Sequence, residues 1–418
     1  MSKIAVVTSK QTIKGGAQSV CFHLINSLKQ DHDVTLFTPS PQNINYDEIK
    51  DFYGFDEYSS VDLYDDKFFK ITSRVLLSDF WKRISHSAGR FLNGLNRSFF
   101  IRSIQKKQEE FDLLIWVYRG PNIGNKYVAY KETNKQNIGE DKNLGLEMID
   151  SSTPTVRYIH MSYYIKEQQK SPLVRIANTI CEIISKSSPP NNNANIYLSN
   201  SEWTGNNINQ IHNVRSKTVY PPVNQQIFSE DLKTWEEREN GFVIIGRITP
   251  DKRIHECISI IESLQKTNHD VHLHIIGKVS DHSYADRIQS EASEKDYIHY
   301  EGEVSFDKLV NLVKSHKFGI HGKKNERFGI AIAEMMSAGT IPFVHDSGGQ
   351  RELVDPFNIL MYKNQHEAVE NISNVLSDSA LQKDISDQLR ENSHMYDTEE
   401  FEQNIRSIVE SVLSNDSS

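Results

Sequence analysis

Short runs of apolar, often β-branched residues alternate along this chain with longer segments whose apolar residues recur at helical spacing. These runs predict β-strands, six in the first half of the chain and five in the second. They cover residues 4–7, 34–37, 113–117, 156–160, 196–198, 218–220, 242–245, 271–276, 297–300, 318–321 and 341–344. Continuous apolar runs between helices are typical of buried parallel strands. The pattern therefore predicts an α/β fold with two Rossmann-like, doubly wound domains.

The length of the chain supports the same division. At 418 residues it is too long for one ordinary core, so two domains are expected. Pro221 and Pro222, followed by a polar stretch, mark the predicted boundary. We predict an N-terminal domain over residues 1–222, a C-terminal domain over 223–395, and a final segment, 396–418, with an amphipathic helix and a frayed tail. Ligands of such sheets bind at the carboxyl ends of the strands, and the cleft between two such domains is the expected site.

Composition narrows the class of protein. Apolar residues make up 37% and charged residues 25%, as in a globular protein, and the net charge of −9 argues against general nucleic-acid binding. The three cysteines, Cys21, Cys181 and Cys257, form neither a disulfide framework nor a zinc spacing. There is no run of about 20 apolar residues, and the chain starts directly with a predicted strand rather than a signal peptide. These features predict a cytoplasmic protein.

One segment departs from this acidic balance. From residue 71 to 108 the chain carries eight Lys or Arg against one Asp. Apolar residues lie there at helical spacing: Leu77, Trp81, Ile84, Ala88, Phe91, Leu95 and Phe99. Arg83, Arg90 and Arg97 repeat every seven residues on another face. The stretch from Leu77 to Lys107 fits a helix lying on an anionic membrane, and it fits equally a core-packed helix with a basic outer face.

The most informative segment is residues 319–352, GIHGKKNERFGIAIAEMMSAGTIPFVHDSGGQRE. Glu326 and Glu334 stand eight positions apart, and the F-G-I turn between them predicts the start of a helix. The unpaired N–H groups of a helix start can bind an anion, and carboxylates can accept hydrogen bonds from sugar hydroxyls. The segment therefore predicts a nucleotide-sugar site. The alternatives are two exposed helix glutamates, or a hydrolase pair flanking one glycosidic bond.

Two loops at strand ends carry further candidates. Arg247 and Lys252 follow the strand at 242–245 and can converge on a diphosphate, although solvated surface cations are the alternative. Gly15 and Gly16 follow the first strand and let the backbone approach a ligand, although an ordinary turn is the alternative. His160 ends the strand at 156–160, where a lone histidine is more often packed or solvated than catalytic.

No other chemistry is indicated. There is no G-x-S-x-G motif that would place a catalytic serine. The single D-x-D, Asp31 to Asp33, lies between the first helix and the second strand, where we interpret it as a solvated turn. A metal is therefore not expected at the diphosphate.

The run of GIH, NERFGI and HDSGG resembles the E-x7-E region of family 4 retaining glycosyltransferases, particularly members that transfer mannose to lipid-linked glycans. The resemblance implies the GT-B fold, with a terminal helix that crosses back to the first domain. It implies that Glu326 contacts the donor sugar and Glu334 the ribose. It extends to donor contacts by the other candidates: Gly15, Gly16, Arg247, Lys252, the backbone of Phe328, Gly329 and Ile330, and His160 near the reacting carbon. Arg253 stands where the family usually has Gly, while Ser201 and Trp203 match a further family stretch.

The resemblance also implies an activity. It is the transfer of a hexose from a nucleoside-diphosphate sugar, GDP-mannose by analogy, to a polyprenyl-linked or other glycan with retention of configuration and without a metal. Three alternatives stay open at this point. They are a glycosyltransferase that uses a UDP-sugar and a free sugar or polysaccharide, a sugar-nucleotide epimerase of the same architecture, and a binding protein with a degenerate site.

Overall fold

The computed structural model describes residues 1–8, 16–38, 62–63, 99–118, 153–160 and 195–415. They group into two compact units. The first comprises described residues up to Asn200 together with Thr204–Val219 and the chain from Glu402. The second comprises Ser201–Trp203 and Tyr220–Phe401. The domain boundaries predicted at residues 222 and 395 stay predictions.

The first unit contains a seven-stranded parallel sheet in the order β3-β2-β1-β4-β5-β6-β7. Its strands are β1 (Lys3–Thr8), β2 (Asp33–Phe37), β3 (Asp62–Leu63), β4 (Leu113–Tyr118), β5 (Thr155–Ile159), β6 (Asn195–Ser199) and β7 (Lys217–Thr218). Helix α1 (Gly16–Leu28) links the first two strands and α2 (Glu202–His212) follows the sixth. Residues 99–105 are also helical, and Gln108–Glu110 form a 3-10 turn. On one face Ala5, Val7 and Trp116 pack with Phe37 and Ile101, as expected for strands buried on both sides.

The second unit contains a six-stranded parallel sheet in the order β10-β9-β8-β11-β12-β13. Its strands are β8 (Glu239–Ile245), β9 (His272–Ile276), β10 (Ile298–Gly302), β11 (His316–His321), β12 (Ile341–His345) and β13 (Met361–Tyr362). Its helices are α3 (Gln225–Ser229), α4 (Ile254–Lys266), α5 (His282–Ser293), α6 (Phe306–Ser315), α7 (Ile330–Ser337), α8 (Gln350–Val354), α9 (Gln365–Leu376) and α10 (Ser379–Asn392). Short 3-10 turns lie at Trp235–Glu237, Pro250–Lys252, Asn358–Leu360 and Ser393–Tyr396.

Alternation along the central strand β8 separates two cores. Phe242 and Ile244 face the larger core, which includes residues of α4 and α7. Val243 and Ile245 face the opposite core, with Val310 and Val313 of α6. Successive side chains of a strand point to opposite faces, so a strand that is apolar throughout needs helices on both sides.

Capping residues fix where several helices of this unit begin. The side chains of Asp281, Ser305, Asn364 and Asp378 each accept a hydrogen bond from a backbone N–H three residues later. These bonds satisfy N–H groups that a first helical turn leaves without a partner.

The last helix, α11 (Thr398–Asn415), starts in the second unit, and from Glu402 onward its residues group with the first. Within the first unit, Asn26 Nδ2 of α1 donates to Glu402 Oε1 at 3.0 Å.

The predicted α/β architecture is confirmed, and each of the predicted strands is present within one to three residues. The pattern missed β3 and β13, because each has two residues, too few for any period to show. Gly15 and residues 77–98 of the basic segment lie outside the described residues. Along the described stretches, no helix combines the length and the apolar character that crossing a bilayer requires.

Candidate functional site

Glu326 lies in the loop between β11 and α7, at the carboxyl end of the second sheet. Its Oε2 is 3.0 Å from Lys252 Nζ, 3.4 Å from His321 Nε2 and 3.4 Å from Lys323 Nζ. Its Oε1 accepts a hydrogen bond from the backbone N–H of Arg327 at 3.1 Å. The side chains of Glu326 and Lys252 are each 14% exposed, so the ion pair is largely shielded from water.

These neighbours decide the charge of the site. Burial alone would raise the pKa of Glu326, but Lys252, the hydrogen bond from His321 and then Lys323 outweigh it and hold the pKa well below its usual value. Burial and the nearby Lys252 lower the pKa of His321 to about 4. At neutral pH the site therefore combines an ionised carboxylate, a neutral imidazole and two ammonium groups.

The S-G-G loop after β12 holds the backbone of Glu326. Gly349 N donates to Glu326 O at 2.7 Å, and Asn325 N donates to Ser347 Oγ at 2.9 Å. Gly348 has φ of +82°, and a Cβ there would lie 2.3 Å from Glu326 O. Only glycine fits this position, because the conformation is left-handed and the neighbouring backbone leaves no room for a side chain.

The loop after β8 presents the two predicted cations differently. Lys252 ends the 3-10 turn Pro250–Lys252 and reaches Glu326, whereas the Arg247 side chain is exposed. Arg253, the departure from the family pattern, adopts φ of +54° and pairs with Glu256. A left-handed residue at this point explains why glycine is usual there.

Glu334 lies inside α7, whereas Glu326 precedes that helix by four residues. Burial raises the pKa of Glu334 to about 7. Across the chain segments that the structure describes, no side chain forms a hydrogen bond or ion pair with its carboxylate. Glu334 therefore has unused capacity to accept hydrogen bonds, unlike Glu326.

The start of α7 offers donors. Gly329 caps the helix with φ of +113°, and Phe328 is buried. Within the described ranges, the N–H groups of Phe328, Gly329 and Ile330 donate no hydrogen bond to a backbone carbonyl. The first N–H groups of a helix have no intrahelical partner, so these groups are available to an anion.

Two further residues of this segment make contacts that the sequence pattern did not predict. Lys323 stands three positions before Glu326 and also lies 3.4 Å from Asp251 Oδ2. Glu352 accepts hydrogen bonds from the backbone N–H of Glu202 at 3.0 Å and of Trp203 at 2.7 Å. The lysine run before Glu326 was a usable signal for Lys323, whereas nothing in the sequence pairs Glu352 with a segment 149 residues away.

The first unit holds the remaining candidates. Gly16 is the first residue of α1. β5 ends at Ile159, so His160 directly follows it, buried, with its ring centroid 4.9 Å from that of Tyr158. Asn200 Nδ2 donates to His160 O at 3.2 Å. Asp33 begins β2, so the D-x-D lies at the amino end of that strand, as predicted.

Comparison with known proteins identifies the class. The fold is that of GT-B glycosyltransferases. It matches a glycosyltransferase from Rickettsia africae with a TM-score of 0.65 and 14% identity, covering 99% of each chain. It matches HepE of Anabaena, solved with UDP, with a TM-score of 0.64 and 12% identity, covering 98% of this chain and 100% of that one.

Residues 226–392 match the family described as glycosyl transferases group 1, which confirms the resemblance found in the sequence. Similar proteins include the GDP-Man:Man(3)GlcNAc(2)-PP-Dol alpha-1,2-mannosyltransferases. The one from Candida glabrata is 30% identical over 168 residues, 37% of this chain and 33% of the relative. The human one is 26% identical over 242 residues, 53% of this chain and 49% of the relative. The chain thus spans at most about half the length of these curated relatives.

Proposed function

We propose that the protein is a retaining hexosyltransferase that transfers mannose from GDP-mannose to a lipid-linked glycan. The observation that carries the proposal is the contrast between Glu326 and Glu334 beside the start of α7. Lys252 and Lys323 hold the carboxylate of Glu326 ionised, whereas the carboxylate of Glu334 has no side-chain partner among the described residues. The names of the similar mannosyltransferases support the donor and the class of acceptor.

The proposed roles follow from position and charge. Glu326 accepts hydrogen bonds from the donor sugar, and Glu334 accepts them from the ribose. The N–H groups of Phe328, Gly329 and Ile330 bind phosphate and sugar oxygens. A hydroxyl group hydrogen-bonded to Glu334 would supply a partner that no described side chain provides.

Lys252 and Arg247 stabilise the leaving diphosphate. In the transfer, the bond between the anomeric carbon and the phosphate oxygen breaks, and a bond from the acceptor oxygen to that carbon forms. The acceptor proton leaves with the nucleoside diphosphate. Fixed cations beside the oxygen that gains charge lower the barrier without a metal, so we propose that the reaction proceeds in a chelator.

Three residues of the first unit complete the proposal. Gly15 and Gly16 approach the donor phosphate and sugar, and His160 contacts the donor sugar near the reacting carbon. We further propose a cytoplasmic protein that binds an anionic membrane surface through residues 77–107, where a lipid-linked acceptor would be presented.

The test is release of nucleoside diphosphate from a panel of GDP- and UDP-sugars, with and without a membrane lipid extract. Each reaction is run with and without EDTA. Lipid-dependent release from GDP-mannose alone supports the proposal. Release from a UDP-sugar would contradict GDP-mannose as the donor but would still support a glycosyltransferase. Release without any acceptor would contradict lipid-linked transfer, and no release together with no nucleotide binding would contradict the transferase itself.

The membrane surface has its own test. Replacing Arg83, Arg90 and Arg97 by Gln should abolish sedimentation with phosphatidylserine vesicles but leave it unchanged with neutral vesicles. Equal binding of the wild type and the variant, or no binding by either, would remove the membrane from the proposal.

A further inference from the structure

A cluster of histidines lies at the amino end of the second sheet, the end opposite Glu326. His272 and His274 occupy alternate positions of β9, His299 lies on β10 and His316 begins β11. Alternate residues of a strand share a face. His299 is in register with His274, so the imidazoles gather on the face that α6 covers. Ring centroids lie 4.5 Å apart for His274 and His299 and 4.7 Å apart for His274 and His316.

Gly241 makes the cluster possible. It lies on β8, which separates β9 from β11, and it is in register with His272. A Cβ at Gly241 would be 2.3 Å from His272 Nε2 and 2.6 Å from His316 Cδ2. Because Gly241 has no Cβ, the rings of His272 and His316 approach each other across the central strand, with their Nε2 atoms 3.0 Å apart.

Neighbouring acceptors fix which nitrogen of two rings carries hydrogen. His316 Nδ1 is 2.6 Å from Leu312 O, and His274 Nδ1 is 2.9 Å from Glu301 Oε1. Carbonyl and carboxylate oxygens only accept, so both Nδ1 atoms donate and both Nε2 atoms keep a lone pair. Lys308 Nζ in turn holds Glu301 at 2.6 Å. Histidines that ligate metals are oriented in the same way, by a carboxylate or carbonyl on the other nitrogen.

A carboxylate completes the donor set. Glu239 Oε2 lies 3.4 Å from His272 Nε2 and 3.9 Å from His316 Nε2. Three imidazole nitrogens and one carboxylate oxygen match the ligand types of zinc.

We propose that His272, His274 and His316, with Glu239 as the fourth ligand, bind one Zn²⁺ ion. The ligand atoms of the three histidines lie within 4.8 Å of one another. In a tetrahedral zinc site two nitrogens are about 3.3 Å apart, so small side-chain rotations complete the coordination. The ion would join β8, β9 and β11, and its role is structural because all four positions are taken by protein.

The test is titration of the tag-free, full-length protein with zinc chloride by calorimetry, after dialysis against a chelator. We expect one ion per chain, a higher melting temperature with zinc, and no heat with magnesium. His272→Gln should lose both binding and the thermal shift. His282→Gln, which changes an exposed histidine outside the cluster, should keep both. Absence of binding by the wild-type protein, or binding retained in His272→Gln, would overturn the proposal.

Two further variants separate a built site from casual binding. Glu301→Gln should weaken zinc binding about ten- to a hundredfold, because it loosens His274 without removing a ligand. Gly241→Ala should prevent binding by filling the space between the rings. If Gly241→Ala does not fold, the test is the visible spectrum of the wild-type protein with Co²⁺ in place of Zn²⁺. The proposal predicts the absorption of a tetrahedral cobalt site, and a spectrum without that absorption would exclude the proposed coordination.

Discussion

The two ends of β11 place opposite chemistry on one six-residue strand. His316 begins it among neutral imidazoles, and His321 ends it beside the ionised Glu326 and two lysines. At the amino end the functional side chains belong mostly to the strands themselves and meet across a glycine. At the carboxyl end they come from loops and a helix start. In this unit the carboxyl ends of the parallel strands carry the candidate ligand site, and the amino ends carry the proposed zinc site.

Burial disfavours the charged form of every ionisable group at both ends of β11. The groups nevertheless differ in charge, because their neighbours differ. At Glu326, Lys252 together with His321 and Lys323 outweighs burial, whereas Glu301 does not outweigh it at His274, whose pKa stays lowered. At Glu334 no group among the described residues opposes burial, which raises the pKa to about 7. The partner, rather than the depth of burial, decides which groups are ionised.

The largest expected effect is at the carboxyl end. Glu326→Ala should lower the rate of transfer on the order of a hundredfold, because the transition state loses a fixed charged acceptor. The variant should still fold, with a lower melting temperature because Lys252 loses its buried partner. The matched control is Glu294→Ala, which changes an exposed glutamate after α5. Near-normal turnover in a folded Glu326→Ala protein would contradict the assigned role.

The second prediction concerns Glu334 and pH. Its folded-state pKa is raised, so between the unfolded pKa and about 7 the folded state holds a proton that the unfolded state releases. The free energy of unfolding therefore falls as pH rises through this range. Glu334→Gln cannot ionise and should be about 3 kcal/mol more stable than the wild type at pH 8, because the pKa of Glu334 is raised from 4.5 to about 7.

This gain in stability should vanish near pH 4, where Glu334 of the folded wild type is protonated and therefore as uncharged as the glutamine of the variant. Urea unfolding across pH measures it, with the exposed Glu370→Gln as control. The same variant should bind nucleoside diphosphate more weakly. A stability difference independent of pH would contradict the raised pKa.

The third prediction is smaller and tests the diphosphate contact. Lys252→Met should weaken binding of GDP about tenfold, because one charge-assisted contact to the diphosphate is lost. The loss is limited because GDP no longer has to break the ion pair between Lys252 and Glu326. Calorimetry in the absence of acceptor measures it. Lys266→Met, which changes a lysine 72% exposed on α4, should bind as the wild type does. Unchanged binding in Lys252→Met would assign the diphosphate to other groups.

The smallest expected effect tests whether the ends are independent. His272→Gln should change the affinity for GDP by less than about twofold, because distant sites without shared partners act nearly additively. GDP titration of His272→Gln and His282→Gln, each without added zinc, measures it. A large loss confined to His272→Gln would show that the two ends are coupled through β11.

The sequence predicted the strands well because buried parallel strands leave continuous apolar runs. It also brought Lys252 and Glu326 into one predicted site, since each follows the carboxyl end of a strand. Their direct contact, between residues 74 apart, could not be predicted, because it depends on the path of two loops. The left-handed Arg253 was visible only as a departure from the family pattern.

The histidine cluster is a feature that the sequence pattern could not predict. Alternation of His272 and His274 in β9 is visible in the sequence, but His316 belongs to a strand two positions away in the sheet. Its approach requires the strand order and the missing Cβ of Gly241, and neither follows from periodicity. The spacing of the cysteines gives no signal of this site, because none of its ligands is a cysteine.

The ion pair of Lys252 and Glu326 has a consequence for the catalytic cycle. A carboxylate already occupies the ammonium group that the proposed diphosphate would use. Under the proposed function, the donor would displace Glu326 from Lys252, and Glu326 would return to Lys252 when the nucleotide leaves. This competition would lower the affinity for substrate and product alike and would favour rapid release of the product.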